Sequence, residues 1–331
     1  MIWDVVRKEE VSDVSFQILG RTVVKNRIEM NSPPNLIIAG VNKAGSTSLF
    51  SYLSAHPQVC SSAVKETCYF LPIRYGKPIA PLSEYLLNFD NQAGRPVVME
   101  ATPGYFYGGK PLALALNAVA PDARVILLFR NPVSRLISFF RFMQSMLLLD
   151  ESLTLEEYIE ECKGRSVTEL RVQENNPYFG VEGGFYSNYL MDWFEVFGDR
   201  LKIIFFEDVK GNPHEVLRDV STWLEIDPDF YTRFDFRAEN RTSAFRSRNI
   251  HMSAIAINKH FEKGFRRFPI AKKLVKSVYS LLNLSSPRKE VSPGTRALLE
   301  EMYRDSNDSL KEMLRHHGVE NWPDWLRDIR E

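Results

Sequence analysis

Asn35-Leu36-Ile37-Ile38-Ala39-Gly40-Val41-Asn42-Lys43-Ala44-Gly45-Ser46-Thr47-Ser48-Leu49-Phe50-Ser51-Tyr52-Leu53 is the stretch that decides the fold. Its first seven residues form a short apolar run, the composition of a strand buried on both faces of a parallel sheet. From Ser46 the pattern turns helical through Leu49, Tyr52 and Leu53, and Pro57 closes it. Between strand and helix lie small residues. Such a turn presents successive backbone N–H groups and a helix N-terminus to an anion. Ala44 and Gly45 leave room for a phosphate, and Ser46, Thr47 and Ser48 add hydroxyl donors.

The loop departs from the common nucleotide-triphosphate pattern, in which a lysine sits directly before the hydroxyl residue that holds Mg²⁺. Here the lysine, Lys43, comes before Gly45 and enters from the strand side. A Mg²⁺-dependent site also needs an acid at the end of a neighbouring strand. The apolar segment from Arg124 to Phe129 ends instead in Arg130, with no nearby carboxylate. The expectation is a site that binds phosphates with its own cations and no metal. A Mg²⁺-dependent nucleotide kinase or NTPase is the alternative that this arrangement disfavours. An ordinary strand-to-helix turn is the other, and the lysine, the glycine and the three hydroxyl residues argue against it.

Outward from this segment the alternation repeats. RPVVMEATPGYFY at 95–107 is a strand and loop. ARVILLFRNPVSRLISFFRFM at 123–143 is a strand and an amphipathic helix, with Asn131 as cap and Pro132 at the first helical position. NYLMDWFEVFG precedes a fourth strand, LKIIFFEDV at 201–209. Strands alternating with helices predict right-handed crossovers and an α/β fold. We expect a single domain over 35–331, with a central parallel sheet flanked by helices, of the P-loop-containing nucleotide-binding type. An N-terminal extension, 1–34, ends at Ser32-Pro33-Pro34.

Composition excludes more than it selects. Lys plus Arg number 42, as do Asp plus Glu, so net charge calls for no nucleic-acid partner. Three cysteines, Cys60, Cys68 and Cys162, make neither a disulfide framework nor a zinc knuckle. The N-terminal segment lacks the basic flank and apolar core of a signal peptide, and no apolar run reaches the ~20 residues of a membrane span. The expectation is a soluble, cytoplasmic protein.

Taken together, KAGSTS at 43–48 and RVILLFRNPVSRLISFF at 124–140 resemble the two nucleotide-binding elements of sulfotransferases that use 3′-phosphoadenosine 5′-phosphosulfate (PAPS). The likeness is to the heparan-sulfate-type and bacterial branches. It extends to KETCYF at 65–70, EATPGYFY at 100–107, GGFYSNYLMDWFEVFGDRLKIIFFEDV at 183–209 and TRALLEEMYRDSNDSLKEML at 295–314. It implies that Lys43, Ala44, Gly45, Ser46, Thr47 and Ser48 hold the 5′-phosphosulfate, with Lys43 stabilising the leaving bridging oxygen. It implies that Arg130 and Ser138 clamp the 3′-phosphate, that PAP is the product, and that no metal takes part. A late basic loop of the family corresponds to 240–249, where Arg246 and Arg248 would contact the nucleotide or form a solvated charge cluster.

The resemblance also assigns Glu66 as the base that takes the acceptor's proton, with Lys65 beside it to neutralise sulfuryl oxygens or keep Glu66 ionised. His56 is a rival base, although its place before Pro57 favours a helix-end cap. Thr102 and Tyr105 follow a strand and are expected to face the acceptor. Tyr107 is either a companion of Tyr105 or an ordinary loop aromatic, and Tyr186 and Trp193 are expected in the core. The acceptor is a hydroxyl or amine, with a slight lean toward carbohydrate over lipid or other hydroxylated molecules. The basic, apolar-striped segment 258–289 is either a packed helix pair or a peripheral membrane contact. A non-catalytic PAP- or glycan-binding module is the alternative outside enzymes.

Overall fold

A computed structural model of the chain describes residues 32–89, 92, 94–236 and 291–327. The expected N-terminal extension lies outside the described residues, apart from its last three. Among the described residues five parallel strands form one sheet: β1 (Leu36–Gly40), β2 (Val59–Ser61), β3 (Val97–Ala101), β4 (Arg124–Phe129) and β5 (Leu201–Phe205). Their order is β2-β3-β1-β4-β5. The helices are α1 (Ser46–Ser54), α2 (Leu71–Arg74), α3 (Leu82–Leu86), α4 (Gly109–Val119), α5 (Pro132–Ser145), α6 (Leu155–Lys163), α7 (Val167–Leu170), α8 (Ser187–Phe197), α9 (Phe206–Gly211), α10 (Pro213–Trp223) and α11 (Pro293–His316).

Every residue of β1 is buried, because β3 and β4 flank it and helices cover both faces. The strand therefore consists of Leu, Ile, Ile, Ala and Gly with no polar side chain to satisfy. Two strand boundaries differ from expectation. β2, three residues long, carries too little pattern to be seen in the sequence. β5 stops at Phe205 rather than Val209, since its partner β4 ends opposite at Phe129 and offers no further ladder. The chain then turns into α9, whose first turn holds Glu207 and Asp208, where carboxylates suit the positive helix end.

Local chemistry sets the helix starts. Asn131 accepts a hydrogen bond from the Ser134 N–H at 2.9 Å, and Pro132 occupies the first turn of α5. Thr154 with Glu157 and Ser166 with Glu169 form reciprocal capping boxes on α6 and α7, caps that are typically worth ~1 kcal/mol each. α11 starts at the Ser292 cap and sends Leu299, Tyr303, Leu310 and Leu314 into the core. Trp193 is buried in α8, its indole N–H donating to the Phe106 carbonyl at 3.0 Å. Tyr186, just before α8, is buried as well.

The strand order has one consequence for everything below. β3, β1 and β4 are neighbours, so the residues that follow their carboxyl ends converge, as ligand sites do in open α/β sheets.

Candidate active site

After Gly40 the chain enters the phosphate loop. The Val41 N–H donates to the Leu128 carbonyl at 2.8 Å, which ties the loop to β4. Lys43 and Gly45 both adopt left-handed backbone angles, with φ of 70° and 91°. Such turns bring successive N–H groups to one concave side. Gly45 is the residue before α1, and no side chain caps it. The Ser48 N–H turns back to the Gly45 carbonyl at 3.0 Å, so the Ser46 and Thr47 N–H groups ahead of it are the ones the helix start offers to an anion. Gly45 is required twice over: its φ disfavours a side chain, and a Cβ there would lie 2.7 Å from the Phe206 ring. Of the hydroxyl residues, Ser46 is buried while Thr47 and Ser48 are partly exposed.

Lys43 places its Nζ 3.9 Å from the centroid of the Phe142 ring on α5. Burial lowers its pKa to about 8; Glu66 opposes that shift, whereas Arg130 and Lys65 add to it. Arg130 stands at the end of β4 and donates from Nη1 to the Lys43 carbonyl at 2.9 Å. Its guanidinium carbon lies 4.5 Å from the centroid of the Phe206 ring that also backs Gly45. Burial lowers the Arg130 pKa, against the pull of Tyr186 and Glu207. Tyr186 donates its hydroxyl to the Arg130 carbonyl at 2.8 Å, and Glu207 accepts from the Asn131 N–H at 3.1 Å. Ser134, Ser138 and Phe142, spaced at four residues, form the partly exposed stripe of α5. Ser138 thus sits between the Arg130 end of the helix and the ring beneath Lys43.

Glu66 follows β2 in a loop hung on the end of β3. Its N–H donates to the Ala101 carbonyl at 2.9 Å, and its φ is 66°. Its carboxylate pairs with Lys65 Nζ at 2.6 Å, and its side chain is 50% exposed. The Glu66 carboxylate is thus accessible, paired with a lysine whose side chain is 18% exposed, and held by its backbone on the end of β3.

The expectation for Thr102 and Tyr105 is corrected, while Tyr107 and His56 take the structural one of the two readings open to each. Thr102 and Tyr105 do not face an acceptor: they are 2% and 0% exposed, and their hydroxyls both donate to the Glu100 carboxylate. Tyr107 is equally buried, with its hydroxyl on the Gly183 carbonyl. The turn after β3 folds back into the core, so its polar side chains serve the interior. His56 is 1% exposed, with its ring held by the Asp227 carbonyl and the Gln58 N–H, and so has no free nitrogen for an acceptor. Arg246, Arg248 and segment 258–289 lie outside the described residues.

Sequence reasoning missed Phe142, Phe206, Tyr186 as a support for Arg130, and Glu100. Only Glu100 left a trace. It is a carboxylate inside an otherwise apolar strand, VVMEA, every position of which is buried.

Residues 33–273 match the family model of the sulfotransferase domain. The chain is 25% identical over 311 residues to "Bifunctional heparan sulfate N-deacetylase/N-sulfotransferase 1" of Caenorhabditis briggsae, an alignment covering 90% of this chain and 32% of that protein. It is 25% identical over 252 residues to "Carbohydrate sulfotransferase 15" of Homo sapiens, covering 59% of this chain and 44% of that protein. The chain therefore spans between about a third and a half of these relatives. Among solved structures it superposes on a sulfotransferase from Alicyclobacillus acidocaldarius with a TM-score of 0.63 and 21% identity, covering 89% of this chain and 100% of that one. That likeness speaks to fold, and the family match, which takes in both cationic elements of the site, speaks to kinship: this chain belongs to the sulfotransferase domain family.

Proposed function

We propose that the protein transfers a sulfuryl group from PAPS to a hydroxyl or amine of a carbohydrate, with Lys43 on the donor and Glu66 as base. The observation that carries this is the Arg130–Lys43 contact, which sets two partly buried cations just beyond the ends of adjacent strands. A donor phosphorylated at both its 5′ and 3′ positions needs two such points. The Lys43 loop would hold the 5′-phosphosulfate through its N–H groups, and Arg130 with Ser138 would hold the 3′-phosphate.

The acceptor oxygen or nitrogen forms a bond to sulfur while the bond from sulfur to the bridging 5′ oxygen breaks. The electron pair of that bond leaves with PAP, and the acceptor proton passes to Glu66. Negative charge grows on the leaving oxygen, and a preorganised cation there lowers the barrier. Lys65, paired with Glu66, keeps positive charge beside the carboxylate in the resting site. The relatives named above carry heparan sulfate or carbohydrate in their names, which supports a glycan acceptor.

Transfer of labelled sulfate from PAPS onto fractionated glycans, lipids and small alcohols tests the proposal. Transfer to a glycan fraction, lost in Lys43→Ala, is the expected result. PAP binding without turnover on any acceptor would point to a binding module instead, and EDTA-sensitive ATP turnover to a nucleotide kinase.

A further inference from the structure

Glu100 is fully buried at the end of β3. Among the described residues its hydrogen-bond partners are hydroxyls. Oε1 accepts from Thr67 at 2.6 Å, Thr102 at 2.7 Å and Tyr105 at 2.7 Å, and Oε2 accepts from Tyr85. Several donors converging on a group that can only accept is the environment of a carboxylate. Taking a carboxylate out of water is costly, and a strand of this kind is ordinarily apolar throughout. The arrangement therefore calls for a reason beyond packing.

The reason lies in what the hydroxyls also do. Thr102 Oγ1 accepts the Cys68 N–H at 3.3 Å, and the Tyr105 hydroxyl accepts the Phe70 N–H at 3.2 Å. Thr67 brings its own side chain to Glu100, and the Glu66 N–H meets the carbonyl of Ala101, the next residue along. Each relay runs one way, from loop N–H to hydroxyl to carboxylate, because Glu100 can only accept. The loop so held contains two non-glycine residues in left-handed conformation, Glu66 at φ 66° and Cys68 at φ 57°. Conformations of this kind are strained for residues with a side chain and persist where surroundings over-determine them. Here the surroundings are one carboxylate and the hydroxyls it orients.

We propose that Glu100 is a positioning residue: through Thr67, Thr102 and Tyr105 it fixes the backbone that aims Glu66 at the acceptor. It touches neither donor nor acceptor. The role rests on Glu66 being the base proposed above. A glutamine at this position would replace one acceptor oxygen with an amide N–H₂: in the Oε1 place it would face the three relay hydroxyls, and in the Oε2 place the Tyr85 hydroxyl, so the set of donors no longer matches in either orientation.

The experiment is a double-mutant cycle of Glu100→Gln with Glu66→Gln, reading kcat for transfer from labelled PAPS and Kd for PAP. Glu100→Gln is expected to lower kcat about 10- to 100-fold, the scale of a small misplacement of a catalytic group. PAP affinity should stay within about twofold, and the loss should vanish in the Glu66→Gln background. Equal losses in both backgrounds, or PAP affinity falling in step with kcat, would make Glu100 a general scaffold residue and overturn the proposal. Full transfer by Glu66→Gln alone would instead remove Glu66 as base, a separate outcome. Thr67→Val removes the loop's own link to Glu100, together with the longer contacts of that hydroxyl to Tyr105 and the Tyr69 N–H, and leaves Glu100 with its other donors. If Glu100→Gln does not fold, this variant decides: a lowered kcat at unchanged PAP affinity supports the role, and an unchanged kcat rejects it.

Discussion

Arg130 Nη1 donates to the main-chain carbonyl of Lys43 across 2.9 Å, joining the residue that follows β4 to the phosphate loop that follows β1. The same guanidinium stacks on Phe206, whose ring fills the space where Gly45 lacks a side chain. The two cations are thus one unit, set by backbone and by a shared aromatic support.

Arg130→Lys keeps the charge but loses the planar fork and the stacking on Phe206. Hydrogen bonds to charged groups are worth about 1.5–3 kcal/mol, so PAP affinity should fall about 10- to 100-fold. Affinity for adenosine 5′-phosphosulfate, which lacks the 3′-phosphate, should fall less. Calorimetric titration of both nucleotides checks the difference.

Gly45→Ala places a methyl group 2.7 Å from the Phe206 ring at a φ of 91°. The backbone strain alone costs about 1–3 kcal/mol, so the melting temperature should drop and PAP binding weaken. Adding Phe206→Ala removes the clash but not the strain, so part of the thermal loss should return. Melting curves of the single and double variants measure that part.

Because burial lowers the Lys43 pKa to about 8, the ammonium of the free protein is lost as pH rises through about 8 rather than 10.5. PAP affinity should therefore weaken above pH 8, and Glu66→Gln should move that midpoint lower, since Glu66 favours the charged form. The stability effect has the opposite sign. A cation whose folded pKa is depressed penalises the fold below about pH 8, and the penalty fades toward the unfolded value of 10.5. Lys43→Met should raise Tm at pH 7, with the gain shrinking as pH approaches 10.5. Binding and melting measured between pH 6 and 10 test both signs.

His56→Leu separates structure from catalysis. The ring bridges the Asp227 carbonyl and the Gln58 N–H from a buried position. Leaving those groups unpaired costs about 1–3 kcal/mol each. A lower Tm with unchanged kcat is expected, and a lost kcat at retained Tm would restore His56 as a base.

The phosphate loop, the alternation of β1, β3 and β4 with helices, and Arg130 at a strand end can all be read from the amino-acid order. Each of these is written in neighbouring residues: an apolar run, a glycine, an Asn-Pro start. Lys43 and Arg130 stand out for the same reason, as residues at fixed offsets from such elements, whereas Glu66 is singled out only by the family resemblance. The tertiary structure alone decided that Thr102 and Tyr105 turn inward to Glu100, that Phe142 lies beneath Lys43, and that Phe206 backs both Gly45 and Arg130. These relations join segments far apart in the chain, and they exist because the order β3-β1-β4 brings three strand ends side by side. Polarity does not announce the side on which a hydroxyl lies. A buried carboxylate can recruit a threonine or tyrosine inward as readily as solvent draws it out, and only strand order and burial settle which happens.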